Sequence, residues 1–186
     1  DGNKGYGYAQ RVGQTEALKR HADIVIMLHP DYQYDPKCLP AIIAPIQRGA
    51  ADLVFGSRMR SRQEALRGGM PMIKFILNRI YTHVQNALLH ARLSEYFSGY
   101  RAFSKTLLET LPLELFSDTF IYDQELMIAT IAMGGRVKEI PVPVRYFNDS
   151  SSMQYLKGIQ FLWESNIVII KYILFRLHLY KSKLFH

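Results

Sequence analysis

Cysteine is nearly absent: Cys38 is the one example in 186 residues, so no internal disulfide forms and nothing calls for an oxidising compartment. A lone cysteine of this kind is ordinarily a small core residue rather than a nucleophile. The opening stretch, residues 1–8, is polar and glycine-rich and lacks a basic start followed by an apolar run, so no signal peptide is expected. Internal repeats and low-complexity tracts are missing too. A bilayer-spanning helix needs about 20 mostly apolar residues. In the most apolar region, 155–180, Glu164, Asn166, Lys171 and Arg176 break every such window.

Acids are the scarcer charge, 16 against 23 Lys and Arg, giving a net charge of +7 and an anionic partner as the expectation. Lys171, Arg176, Lys181 and Lys183 stand near the C-terminus without a nearby acid, and Arg58, Arg60, Arg62 and Arg67 occupy a second basic stretch. These are two separate contacts rather than one stripe. Arg and aromatic residues do not interleave along one element as base-stacking platforms require, so a nucleic acid is not the expected partner. Length and a 48% hydrophobic content imply one core with appendages.

Hydrophobic patterning predicts a helix over Tyr8–Arg20, then the β-branched run Ile24–Leu28, read as a strand buried on both faces in a parallel sheet. A helix near Lys37–Arg48 and a strand at Leu53–Phe55 follow, the alternation of an α/β layer fold. Ligands in such sheets bind beyond the carboxyl ends of the strands, here His29–Gln33 and Gly56–Arg58. Met72–Leu89 carries Ile73, Ile76, Ile80, Val84 and Ala87 at helical spacing. Ser104 is the expected N-cap of a helix closed by Pro112. Tyr122–Met133 reads as a helix opened by Asp123 and Glu125 and stopped by Gly134 and Gly135. Pro141 and Pro143 put the strand of Ile140, Val142 and Val144 at a sheet edge.

Three places can carry chemistry, each with a plainer alternative. Asp31 and Gln33 supply hard oxygen donors at a strand end, as suits magnesium or manganese sharing a diphosphate, yet a strand-end Asp also serves as a turn former. Arg58 can clamp a phosphate at two points or pair with an acid. Asp123 can face the cleft as a base or acceptor-orienting group or simply favour a helix dipole. Asn3-Lys4-Gly5-Tyr6-Gly7 follows no visible strand and is not a dinucleotide fingerprint.

As an ordered set these elements resemble glycosyltransferase family 2, in particular its dolichol-phosphate mannose synthase-like branch. Asn3–Gly7 is similar to the family's NKG(x)G turn, Ala22–Val25 to its approach to the metal motif, and His29–Gln33 to DxDxQ. Gly56-Ser57-Arg58 resembles the GSR element, Ser98–Phe103 the (T/S)G(F/Y)RA(F/Y) element, Phe120–Leu126 FxFDxEL, and Gly135–Val142 the strand that follows. The resemblance runs from Asn3 to about Ser152. It implies a GT-A fold, a Rossmann-like, mostly parallel sheet flanked by helices and incomplete at its N-terminus. Residues 1–152 would be the C-terminal part of that domain and 153–186 an amphipathic basic helix.

The implied activity is inverting transfer of a hexose from a UDP- or GDP-linked donor to an acceptor, a polyprenyl phosphate among the candidates, with Mg2+ or Mn2+ as cofactor. The implied donor residues are Asp31, Gln33, Ser57 and Arg58. Asp123 and Arg101 are the implied catalytic residues, and Arg101 and Arg145, with Ser151 and Ser152 in the adjoining loop, would meet an acceptor or donor phosphate. His29 stands where the first Asp of DxD is usual, so it is either a metal ligand with Asp31 and Gln33 or a hydrogen-bonding neighbour of one. That departure also supports a rival, a noncatalytic GT-A domain acting as a binding module. The expected setting is cytoplasmic, peripheral on the inner membrane face. There the stripe Ile159, Leu162, Trp163, Ile167, Ile170, Ile173, Leu174 and Leu177 either enters the acyl boundary or packs on the core.

Overall fold

A computed structural model describes residues 2, 4–59, 65, 66, 68–144 and 155–185, without the side chains of 155–157 and 159. Its elements are α1 (Tyr6–Lys19), β1 (Ile24–Met27), α2 (Leu39–Gln47), β2 (Leu53–Ser57), α3 (Met72–Leu89), β3 (Arg101–Ser104), α4 (Lys105–Thr110), α5 (Tyr122–Ala132), β4 (Val137–Pro141) and α6 (Tyr155–Arg176). The local signals account for several boundaries. Ser104 accepts from the Leu107 amide at 3.2 Å and caps α4, and α5 ends at Gly134 in the left-handed region (φ 73°).

The four strands form one sheet in the order β1-β3-β2-β4. It is mixed, where the resemblance implies a mostly parallel sheet: β3 runs antiparallel to both β1 and β2, and β2 pairs β4 in parallel. β2 is buried along its whole length and splits by alternation. Leu53 and Phe55 join a core with Phe103, Met127 of α5 and Tyr172 of α6, whereas Val54 joins Ile42, Ala102 and Val142 on the other face.

One expectation changes. Among the described residues β1 pairs only with β3, at the edge of the sheet they form, and Ile24, Val25 and Ile26 are half-buried instead of enclosed; an apolar run reports hydrophobicity, not the number of neighbouring strands. The apolar stripe of α3 faces outward: Ile73 is 59% and Ile80 57% exposed, while Asn78, Thr82 and Gln85 are buried. Of the stripe on α6, Trp163, Ile167, Ile170 and Leu177 are exposed and Ile173 packs partly buried against the core; the α6 residues that enter the core, Val168, Ile169 and Tyr172, lie on the other side of the helix from that stripe. Ile159 lies outside the described side chains. No helix among the described residues is long and apolar enough to cross a membrane.

Candidate active site

Because β3 opposes its neighbours, its first residue lies at the edge where β1 and β2 end: Arg101 is registered with Met27 and with Phe55. This edge gathers the turn after β1, the Gly99 loop and the start of α5. Tyr34, just past the turn, shares a 3.3 Å hydrogen bond with Ser98, which fixes the turn to that loop.

Asp31 Oδ1 accepts from the Gln33 amide at 3.1 Å, an Asx turn that orients the carboxylate. Between them Tyr32 is 85% exposed with φ 58°, an unusual conformation for a bulky residue. The donor set here is one carboxylate and one amide oxygen. Among the described residues no three His, Cys, Asp or Glu side chains cluster to hold a metal unaided. Magnesium is commonly held by one or two carboxylates plus substrate phosphates, and the turn fits that kind of site.

His29 sits behind this turn. A Cβ on Gly99 would overlap its Nε2, so only glycine lets the ring lie there. That Nε2 is 3.4 Å from the Tyr6 hydroxyl, which in turn donates to Asp123 Oδ2 at 2.9 Å. With its single proton given to Asp123, the Tyr6 oxygen receives from the Nε2–H tautomer, and His29 can meet a metal only through Nδ1. The Tyr6 ring stacks on His29 and on Phe120, at centroid distances of 5.6 and 4.9 Å. Burial pushes the Asp123 carboxyl above the ordinary range, opposed by the Arg101 charge and the Tyr6 bond.

Arg101 is 1% exposed and spends its guanidinium on three carbonyls, those of Ser98 (2.7 Å), Tyr96 (2.9 Å) and Asp123 (2.6 Å). It braces the main chain beneath Asp123, a different position from the phosphate contact expected of it. Arg58 and Ser57 belong to a separate buried group. Arg58 donates through its amide and guanidinium to the fully buried Glu95, with Nη2 2.6 Å from Oε2. The hydroxyl of Ser57 bonds Ser94, whose amide and hydroxyl both reach Glu139 at 2.7 Å. Cys38 is half-buried, and burial pushes its thiol up, which does not suit a nucleophile.

The profile of glycosyl transferase family 2 matches residues 1–111. The chain belongs to that family. An uncharacterized protein of Methanocaldococcus jannaschii is 29% identical over 81% of the chain and 61% of its own length. The UDP-N-acetylglucosamine–dolichyl-phosphate N-acetylglucosaminyltransferase of Methanococcus voltae is 28% identical over 77% and 57%. A low-salt glycan biosynthesis hexosyltransferase of Haloferax volcanii is 31% identical over 75% and 32%. The chain thus spans less than two thirds of each relative. Among solved structures, glucosyl-3-phosphoglycerate synthase of Mycobacterium tuberculosis superposes with a TM-score of 0.60 at 20% identity, over 96% of this chain and 57% of that one. At that identity the likeness is one of fold. The same enzyme bound to Mn2+, UDP-glucose and phosphoglyceric acid gives 0.58 at 18% identity, with 96% and 56% covered.

Within this family 2 chain, motif spacing singled out neither Tyr6 nor Glu95. Tyr6 carried one usable signal, an aromatic residue between two glycines; a Cβ on Gly5 or Gly7 would overlap the Asp118 or Ser117 carbonyl oxygen. Glu95 carried none, since its partner is 37 residues away. Arg145, Ser151 and Ser152, the basic residues Arg60, Arg62 and Arg67, and Asn3 lie outside the described residues.

Proposed function

We propose that the full-length protein is an inverting hexosyltransferase that moves a sugar from a UDP- or GDP-linked donor to a polyprenyl phosphate. The observation that carries this reading is the pairing at one sheet edge of an oxygen-donor turn, Asp31 with Gln33, and a braced, partly desolvated carboxylate, Asp123. The dolichyl-phosphate acceptor in the name of the Methanococcus voltae relative and the Mn2+ and UDP-glucose bound to the solved neighbour support it.

Asp31 and Gln33 would hold Mg2+ or Mn2+, which when bound neutralises charge on the leaving diphosphate. His29 orients the Tyr6–Asp123 pair. Asp123 orients a lipid phosphate, itself a competent nucleophile, or takes the proton of a hydroxyl acceptor. Arg101 fixes the main chain under Asp123, and Ser57 and Arg58 shape the donor side. Arg145, Ser151 and Ser152 contact an acceptor or donor phosphate. The protein works at the inner membrane face with the exposed stripe of α6, Trp163 to Leu177, in the acyl boundary. The rival, a noncatalytic binding module, predicts no transfer and no metal dependence.

The test is UDP and GDP titration into the full-length protein with and without manganese, beside transfer of labelled sugar to polyprenyl phosphate. Asp31→Asn is expected to weaken manganese-dependent nucleotide binding about tenfold or more, equivalent to about 1.4 kcal/mol, with the fold intact. Unchanged affinity in manganese would remove Asp31 from the site.

A further inference from the structure

Three rings run in series out of the candidate site. His29, Tyr6 and Phe120 stack with centroids 5.6 and 4.9 Å apart and planes tilted by 28° and 21°. The outermost, Phe120, is 45% exposed, and among the described residues Tyr6 is its one ring contact. Phe120 stands three residues before Asp123, where the chain already turns as a helix: the Tyr122 amide donates to the Thr119 carbonyl at 3.2 Å and the Gln124 amide to that of Ile121 at 2.9 Å. That spacing puts ring and carboxylate on one side. Tyr6 touches both, with its ring on Phe120 and its hydroxyl on Asp123 Oδ2. Among the described residues no hydrogen bond reaches the other carboxylate oxygen, Oδ1. An acceptor seated at Oδ1 therefore lies against the open face of Phe120.

The surroundings of the ring select what covers it. Its loop is held from two sides, by Arg11 donating to the Phe116 carbonyl at 2.9 Å and by Glu125 accepting from the Ser117 amide at 2.6 Å, so little ordering is left to be done on binding. A sugar stacked on Phe120 needs partners for the hydroxyls around its edge. The hydroxyls nearest in the chain are committed elsewhere: Ser117 and Thr119 bond each other at 3.1 Å and accept from the Thr119 and Ile121 amides. A hydrocarbon segment needs no such partners. In a prenyl phosphate, apolar carbon begins directly beyond the ester oxygen, so a phosphate oriented by Asp123 brings the first isoprene unit to the ring. We propose that Phe120 is a specificity-determining residue of the acceptor site, its open face receiving the first isoprene unit of a prenyl phosphate. The proposal deepens the lipid-phosphate reading given above and rests on it.

Titration of methyl, dimethylallyl and geranyl phosphate into the full-length protein, loaded with manganese and UDP, tests this. The native protein should bind both prenyl phosphates at least about tenfold more tightly than methyl phosphate. Phe120→Ala should weaken both by about fivefold to tenfold and leave methyl phosphate and UDP unaffected. Phe120→Leu, which keeps apolar surface, should retain most of the preference. If Phe120→Ala lowers the unfolding midpoint, Phe120→His keeps a ring on Tyr6 while adding polar atoms, and should show the same loss. A prenyl preference that Phe120→Ala and Phe120→His leave intact overturns the inference alone, as does an equal loss for all three phosphates, which would make the ring a support for the phosphate end. A loss for geranyl but not dimethylallyl phosphate moves the contact beyond the first unit and also overturns it. Weakened binding of UDP-glucose relative to UDP, with prenyl phosphates unaffected, assigns the ring to a sugar face instead. A native protein without any preference for prenyl over methyl phosphate overturns both the inference and the polyprenyl-phosphate reading.

Discussion

Tyr6 and Asp123, 117 positions apart in the chain, are joined by a 2.9 Å hydrogen bond from the phenolic hydroxyl to Oδ2. The bond ties the first residue of α1 to the second residue of α5 and orients the carboxylate. Burial and the Asp123 charge push the Tyr6 hydroxyl far above its ordinary pKa, so it stays a donor at every working pH.

Tyr6→Phe removes that donor and keeps the ring stacked between His29 and Phe120. Loss of a hydrogen bond to a charged group should cost about 1.5–3 kcal/mol. If the cost falls in the transition state, transfer drops about tenfold to a hundredfold, while UDP affinity in manganese stays put. An equal loss in nucleotide affinity would show that Tyr6 serves the fold or the donor side and not Asp123.

Asp123 should make stability depend on pH in an unusual direction. Its folded pKa is raised, chiefly by burial, so the protonated form is favoured by folding. The resulting stabilisation is complete below the unfolded carboxylate pKa, about 3.9, and is lost as pH rises through the folded value. Asp123→Asn, permanently neutral, is therefore expected to unfold at a higher temperature than the native protein at pH 7. The gap should close as the pH approaches 4. A lower midpoint at pH 7 would contradict the desolvation argument, and a gain there accompanied by lost transfer is what a functional carboxylate predicts.

The sequence made some of these features legible and hid others for identifiable reasons. Leu53–Phe55, Ser104 and Gly134 act through their own neighbours, so period, cap and turn signals found them. The placement of β1 at an edge depends on which strands pair, which four residues of Ile24–Met27 do not encode. The stripe on α3 was visible, but a stripe does not say which side is wet. His29 is visible in the sequence as a departure from DxD, whereas its contact with Tyr6 depends on Gly99 to clear the space. Arg101 and Arg58 show in the sequence as charges beside the motifs, while their burial against carbonyls and Glu95 is set by partners that the local sequence does not name.

The buried pair of Arg58 and Glu95 should behave as mutually dependent charges. Glu95 has no exposed surface and takes the Arg58 amide and guanidinium together. Glu95→Gln leaves a desolvated guanidinium short of its counter-charge and should cost about 3–5 kcal/mol in urea unfolding. Replacing both, as Arg58→Met/Glu95→Leu, should recover most of that loss. A single-variant cost below about 1 kcal/mol would mean that water reaches the pair.

Two glycines of α1 should respond with opposite signs to the same substitution. Gly13 is exposed in the helix interior, and a Cβ there meets nothing within 4 Å. Gly13→Ala restricts the unfolded chain and improves helix propensity, so a gain of about 1 kcal/mol is expected. Gly7 lies where α1 presses on the turn leading into α5: its amide donates to the Asp118 carbonyl at 2.8 Å, and a Cβ would overlap the Ser117 oxygen and approach Thr119 O and Tyr122 Cβ to 2.8 Å. Those neighbours are largely backbone and cannot step aside. Gly7→Ala should therefore cost about 1–3 kcal/mol and lift Tyr6 from Asp123, so it should also reproduce the transfer defect of Tyr6→Phe. Urea midpoints at constant m value measure the stability changes. If both variants shift the same way, close packing is not the reason for glycine at position 7; if Gly7→Ala loses stability but transfers normally, the seating of α1 does not control the Tyr6–Asp123 bond.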